Sequence, residues 1–383
     1  MKRTIETERV PINLWLDDIE EGALQQAKDI ANLPVSYSHV AIMPDSHQGY
    51  GMPIGGVLAT ENAIIPNAVG VDIGCGMCSL RTNQEEIDID RLKKIMGRVR
   101  NSVPVGFSHH DKKQDEEWMP DLNGELPIVR QEYESALKQV GTLGGGNHFI
   151  EIQKGSDGYI WIMIHSGSRN IGFTAAKHYH NLAKEKNERR DDVPKDLAFF
   201  WEDTDEFSLY TNEMNYCIDF ALANRKLMME RVKEAFIDEI AGVEFSDFIN
   251  KPHNFAARET HFGKDLIVHR KGATRAREDE LGMIPGSQGA PSFIVKGKGN
   301  PKAFESCSHG AGRLMSRTKA KKTLSVEEQS KPLEEKGILH AIRHKSDLDE
   351  APGSYKDIRT VMNNQQDLVD IVIELQPLAV IKG

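Results

Sequence analysis

Apolar residues recur at helical spacing in several stretches of the chain. Leu24, Ala27 and Ile30 share a face over residues 17–31, and Ile89, Leu92, Ile95, Met96 and Val99 do so over 88–100. Recurrence at i, i+3, i+4 and i+7 predicts amphipathic helices. A third helix is predicted near 128–140. A long one is predicted over about 205–240, apolar at Leu209, Met214, Ile218, Leu222 and Leu227. Short apolar runs predict strands at 39–43, 149–153, 159–165, 265–270, 292–296 and 378–382. In KPHNFAARE, His253 and Asn254 precede a segment that reads as helix-like. Helices and strands alternate irregularly, which predicts an α+β fold. No repeat, linker or composition break divides the chain, so one large domain over 1–383 is expected.

Composition excludes several classes. Hydrophobic residues make up 39% and charged residues 28%, enough apolar matter for a core, so a disordered chain is excluded. No run approaches the roughly 18 apolar residues that a membrane helix requires. The start, MKRTIETERVPINLW, has charges but no apolar run behind them and does not read as a secretory signal. Four cysteines in 383 residues are too few for a disulfide framework, so reduced thiols and a cytoplasmic location are expected. The net charge is 48 − 58 = −10, so any contact with nucleic acid must use a local basic patch.

The 32 glycines cluster. Seventeen of them fall in MPDSHQGYGMPIGG (43–56), VGVDIGCGM (69–77), GTLGGGNHFIE (141–151), IHSGSRNIG (164–172), IPGSQGAPS (284–292) and SCSHGAGR (306–313). Glycine admits positive φ and lets a ligand approach backbone N–H groups closely. Five of these six segments also carry His, Cys or Asp. In VGVDIGCGM, Cys75 offers a thiolate able to bridge two cations and Asp72 a harder oxygen donor. An inert buried cysteine is the alternative there, and Cys78, though it completes a CxxC with Cys75, reads as a core residue. His148, His165 and His253 add three imidazoles; taken singly each reads as structural, but together with Asp72 and Cys75 they supply donors for two metal ions. His309 sits in a Gly-Ala-Gly turn read as opening a basic helix, where free N–H groups with Arg313, Arg317 and Lys319 make an anion site; capping that helix is the alternative role. PGSQGAPS offers a second loop of free N–H groups for phosphate or purine edges.

The chain has no Gly-Lys-Ser/Thr phosphate loop and no GxGxxG fingerprint. The Lys-x-Asp-Gly signature of ATP-dependent nucleic-acid ligases is missing too, since KGSDG at 154–158 has one residue too many. The donor set alone leaves open a dimetal phosphoesterase but argues against a pure binding protein, which has no need of a bridging thiolate.

The combination VGVDIGCGM, GGGNHFIE, HSGSRNIG, HRKGATRA, IPGS.GA.SFIV and SCSHGAGR.MSRTKAKK resembles the RtcB family of GTP-dependent RNA-splicing ligases, as does the ending SYKDI..VM…AVIKG. The resemblance runs from about residue 10 to the last residue. It implies mixed and antiparallel sheets around a central dimetal and nucleotide cleft. It further implies joining of RNA 3′-phosphate or 2′,3′-cyclic phosphate ends to 5′-hydroxyl ends, in tRNA splicing or RNA repair, with GTP and two Mn²⁺ ions. Asp72, Cys75 and His148 would hold one metal; Cys75 would bridge to a second held by His165 and His253. His309 would take GMP from GTP. Asn147, His148, Phe149, Ile150, Glu151, His253, Asn254, Pro285, Gly286, Ser287, Gln288, Ser292, His309, Gly310, Ala311, Gly312 and Lys382 would surround the nucleotide. Gln288 departs from the methionine usual in the family. Some members need a small activator, archease. RNA backbone contacts are expected from HRKGATRAR (269–277), SRTKAKK (316–322), Arg169, Arg189 and Arg190.

Overall fold

A computed structural model describes residues 1–383. The architecture is α+β, built on two main sheets. One has six strands in the spatial order Arg3–Ile5, Ile12–Leu14, Ser36–His47, Ile54–Thr60, Lys264–Lys271, Asn254–His261. The other has seven, in the order Phe245–Pro252, Gly76–Thr82, Ile160–Ser166, Phe149–Gly155, Val369–Lys382, Ser292–Gly297, Leu281–Ile284. All neighbours in both sheets run antiparallel except Ile12–Leu14 beside Ser36–His47. No helix is long and apolar enough to cross a membrane.

The helices follow the apolar periodicity. Glu21–Ala31 buries Ala23, Ala27 and Ile30. Ile89–Ser102 buries Leu92, Ile95, Met96 and Val99, while Ile89 itself is exposed. The predicted third helix spans Pro127–Ala136. The long helix, Asp205–Glu239, buries a broader face than its sparse apolar pattern suggested, including Glu213, Asn224 and Arg225. Its Arg225 is fully buried and ties three elements together, donating to Gly74 O at 2.9 Å, Ser166 O at 2.8 Å and Asn250 Oδ1 at 2.7 Å.

Two expectations are corrected. The segment after His253 is the strand Asn254–His261, not a helix; its Ala and Arg/Glu content favours helix locally, but pairing with Lys264–Lys271 along its whole length overrides that preference. His309 does not open the basic helix. That helix begins at Arg317 with Ser316 as its cap, and His309 instead leaves the short strand Ser306–Ser308.

Register is what brings the chemistry together. In the seven-stranded sheet Gly76 pairs with both Pro252 and Ser166, and His165 pairs with both Met77 and Phe149. Cys75, His253, His165 and His148 therefore sit at the same end of four neighbouring strands, which lie about 4.8 Å apart. His253 is the single residue between Phe245–Pro252 and Asn254–His261, so it stands where the chain leaves one sheet for the other. The two-stranded ribbon of Ala273–Arg275 with Ser306–Ser308 then carries His309 to the same place, tied by the Ala273 N–H donating to His253 O.

Candidate functional site

Five donors converge at the strand ends. Cys75 Sγ lies 3.5 Å from His148 Nε2 and 3.3 Å from His165 Nε2, and His165 Nε2 lies 3.3 Å from His253 Nε2. His148 Nε2 is also 3.1 Å from Asp72 Oδ2. Cys75, His148, His165 and His253 are buried. The outer nitrogens of two rings fix their tautomers: His148 Nδ1 donates to Leu143 O at 2.8 Å and His165 Nδ1 to Asn147 O at 3.1 Å. A carbonyl only accepts, so each Nδ1 carries a proton and each Nε2 is turned toward the thiol. His253 leaves its Nδ1 without a partner although buried.

This arrangement fits metal ions. On a tetrahedral cation, a thiolate and an imidazole are separated by about 3.6 Å and two imidazoles by about 3.4 Å. Without a cation the donors oppose one another. Burial and the Asp72 carboxylate hold the Cys75 thiol well above its usual pKa. Burial likewise pushes His165 and His253 well below theirs, keeping the imidazoles neutral and able to ligate. Asp72 is net lowered: burial works to raise it, but the hydrogen bond and charge of His148 prevail. Gly167 packs against this carboxylate, where a Cβ would lie 2.1 Å from Asp72 Oδ1.

Beside the donors opens a cavity of about 290 Å³ that His165 also lines. Of the predicted nucleotide residues, Phe149, Glu151 and Lys382, on paired strands, form one side together with Asn147 just ahead of the first strand. Pro285, Gly286, Ser287 and Gln288 form another, and His309, Gly310, Ala311 and Gly312 a third. Five predicted nucleotide residues do not line it: His148 and His253 sit in the donor cluster, and three others stand behind the wall. Ile150 is in the apolar core. Ser292 Oγ accepts from Gln153 Nε2 and from the Gly286 N–H, supporting the 285–288 loop. Asn254 spends its side chain on Asp72 O and the Gly272 N–H, fixing the loops that carry Asp72 and the ribbon.

His309 is oriented by a residue the sequence reading missed. Asp45, fully buried on the Ser36–His47 strand, takes His309 Nδ1 at 2.7 Å with its Oδ2, which also accepts the backbone N–H groups of His309 and Gly310. The ring's Nε2 is left for a ligand, and the ring stands 4.8 Å from that of His253. Gly312, at φ +73°, lets this turn press onto the Asp45 strand, since a Cβ would lie 2.0 Å from Asp45 O. The only signal in the sequence was that MPDSHQG is one of the glycine-rich segments bearing Asp and His.

Glu350 was missed too, and nothing in its polar surroundings marked it. Its buried carboxylate gathers Lys382 Nζ at 2.9 Å, Arg317 Nη2 at 3.1 Å, Arg313 Nη1 at 3.3 Å and the Tyr355 hydroxyl at 2.5 Å, all lining the cavity. Burial works to raise the Glu350 pKa, but Lys382 and Arg317 hold it below the usual carboxylate range. Glu151 is different. Burial raises it to about 8, with Gln153 as its hydrogen-bond partner and Lys382 near it.

A family model described as "tRNA-splicing ligase RtcB" matches residues 26–124 and 120–383. The chain is 40% identical to the RNA-splicing ligase RtcB of Escherichia coli K12, covering 98% of each chain. It is 33% identical to the tRNA-splicing ligase RtcB of Nanoarchaeum equitans and 30% identical to that of Thermococcus kodakarensis, covering 98% of this chain and 95% of each relative. This chain belongs to the RtcB family.

The basic stretches separate into two kinds. HRKGATRAR does not offer RNA contacts along its length: His269, Arg270 and Lys271 are buried in a strand interior. Arg270 is bonded to both oxygens of Glu259, and Lys271 to Tyr50 O and Asn67 O. Arg275 is paired with Glu280. Arg169 is partly buried and bonds Thr142 Oγ1 and Gly106 O. Arg190 pairs with Asp192 and packs on Phe199, and Arg189 is exposed. By contrast Lys319 and Lys322 are exposed on the helix next to Arg317. The four cysteines are all free, with Cys78 in the core, where burial raises its pKa to about 12.

Proposed function

We propose that this chain is a GTP- and Mn²⁺-dependent RNA ligase that joins 3′-phosphate or 2′,3′-cyclic phosphate ends to 5′-hydroxyl ends in tRNA splicing or RNA repair. The observation that carries the reading is the His309–Asp45 pair at 2.7 Å beside the His253 ring. Asp45 keeps the proton on Nδ1 and leaves the Nε2 lone pair free, the state an imidazole needs to attack phosphorus. Because the site draws Asp45 from one sheet and its thiol and imidazoles from the other, we read the whole chain as one catalytic domain. Four free thiols suit a reducing cytoplasm.

Asp72, Cys75 and His148 would hold one Mn²⁺, and Cys75, His165 and His253 a second. Bound there, the ions would neutralise charge developing on phosphate oxygens. The residues of the chain do the rest. Glu151 as carboxylate accepts the N–H groups of the guanine edge and Lys382 donates to its carbonyl oxygen, while Phe149 and Tyr355 offer aromatic faces. His309 Nε2 attacks the α-phosphorus of GTP; a P–N bond forms as the α–β P–O bond breaks and pyrophosphate leaves. A cyclic RNA end is first opened by water to a 3′-phosphate. An oxygen of that phosphate then takes GMP from His309, and the 5′-hydroxyl oxygen attacks the activated phosphorus and expels GMP. Activation is needed because a bare phosphate monoester has a poor leaving group.

Labelled GTP tests the reading. An acid-labile protein adduct that vanishes in His309→Ala supports it. A phosphoesterase that only opens cyclic phosphates gives no adduct, and a protein that only holds RNA ends joins nothing. Ligation of cyclic-phosphate RNA to 5′-hydroxyl RNA is expected to stop when GTP or Mn²⁺ is omitted, and adding archease shows whether an activator is required.

A further inference from the structure

We infer that Phe107 is a base-stacking platform for the RNA end, mounted at the mouth of the cleft. The inference rests on the RNA-joining reading above and extends it to a residue nothing else assigns. Phe107 is 106% exposed, the most exposed of the large apolar side chains. Leaving a whole phenyl ring in water forgoes the stabilisation that burying it would bring. Yet its backbone is not loose. The Ser108 N–H donates to Val105 O at 3.2 Å, closing a tight turn with Gly106 at φ +65°. The residue just before the ring is anchored at both its backbone groups: the Gly106 N–H donates to Gly144 O at 2.9 Å, and Gly106 O accepts from Arg169 Nη2 at 3.2 Å. A ring held out on a fixed turn is organised before any ligand arrives.

The place of the turn identifies the occupant. Gly144 adjoins Leu143, whose carbonyl holds the metal-facing His148. On the other side of the same glycine run, Gly146 lies against the Arg317 guanidinium. The Phe107 turn and the Arg317–Thr323 helix thus flank the Gly144–Gly146 strip, which runs directly into Asn147 and His148. An exposed aromatic ring beside exposed cations is the composition that takes a single strand, the ring stacking a base of any identity and the cations tracking phosphates. With RNA phosphate at the donor cluster, a base near the end reaches Phe107.

The test uses the full-length protein. Phe107→Ala removes only solvent-exposed atoms, so the fold is not at risk. It is expected to raise the KM for RNA in joining by about tenfold, the usual worth of one stacked base, with formation of the GTP-derived histidine adduct unchanged. Phe107→Trp is expected to restore the wild-type KM. RNA carrying an abasic site at its terminal nucleotides is expected to lose a comparable factor with the wild type and little further with Phe107→Ala. An unaltered KM in Phe107→Ala, or an abasic penalty equally large in both proteins, overturns the platform while leaving the ligase reading intact; a docking site for a protein partner would give that result. A wild type that forms no adduct and joins no RNA overturns both.

Discussion

A single carboxylate, that of Asp45, decides which nitrogen of His309 carries the proton. In Asp45→Asn the amide can donate as well as accept, so the imidazole loses its enforced tautomer while its contacts persist. The rate of transfer from labelled GTP to the protein is expected to fall by about a hundredfold or more with thermal stability little changed. Glu151 makes a second residue-scale prediction. Burial raises its pKa to about 8. Between its ordinary pKa near 4.5 and about 8 the folded protein carries a proton there that the unfolded chain lacks, so this group's contribution to stability falls as pH rises through that window. Guanine N–H donors favour the carboxylate, so binding releases the proton. The Kd for GMP is therefore expected to tighten by up to about tenfold per unit as pH rises toward 8, and then to level off. Calorimetric titration across pH checks this, and a Glu151→Gln protein is expected to show a flat profile.

At the scale of elements, the site depends on strands held in register by a helix. Arg225, from the long helix, donates to the Cys75 loop, to the end of the His165 strand and to the strand leading to His253. Hydrogen bonds from a charged group contribute about 1.5–3 kcal/mol each, and stranded carbonyls add their own cost. Arg225→Met is expected to lower unfolding free energy by about 2–4 kcal/mol, seen as a lower denaturant midpoint at constant slope. Mn²⁺ affinity is expected to weaken with it by roughly 10–100-fold, as for other residues that support ligands from behind. The predicted helices were legible here because their buried faces recur at 3.6 residues. The strand after His253 was not, because its ladder partner, rather than its own composition, sets its conformation.

Across the whole molecule, an acidic protein must present RNA with a restricted basic surface. The structure leaves Lys319 and Lys322 exposed near the cavity and buries Arg270 and Lys271 in a sheet. Lys319→Ala with Lys322→Ala is expected to weaken RNA binding and reduce the slope of log K against log salt by about 1.4, two contacts at about 0.7 each for a single strand. Titrating RNA in rising potassium chloride measures it. Arg270→Ala is expected to act differently, costing about 3–5 kcal/mol of stability through the uncompensated Glu259, with salt dependence of RNA binding unchanged in the fraction that folds.

The chain's own order of residues determined which side chains were available for chemistry and where the backbone turns. Glycine-rich segments bearing Asp72, Cys75, His148, His165 and His309 are local features, and local features survive in a linear reading. The apolar repeats of the helices and the alternating strands are local as well. Tertiary structure alone decided which donors face one another, because that depends on strand registers joining residues as distant as Gly76 and Pro252. It alone chose Asp45 to orient His309 and Glu350 to gather the cations of the cavity wall. It also divided the basic residues into those buried against Glu259 and backbone carbonyls and those left in water. Charge and period can be read from neighbours in the chain; burial and partnership are set by what packs across from them.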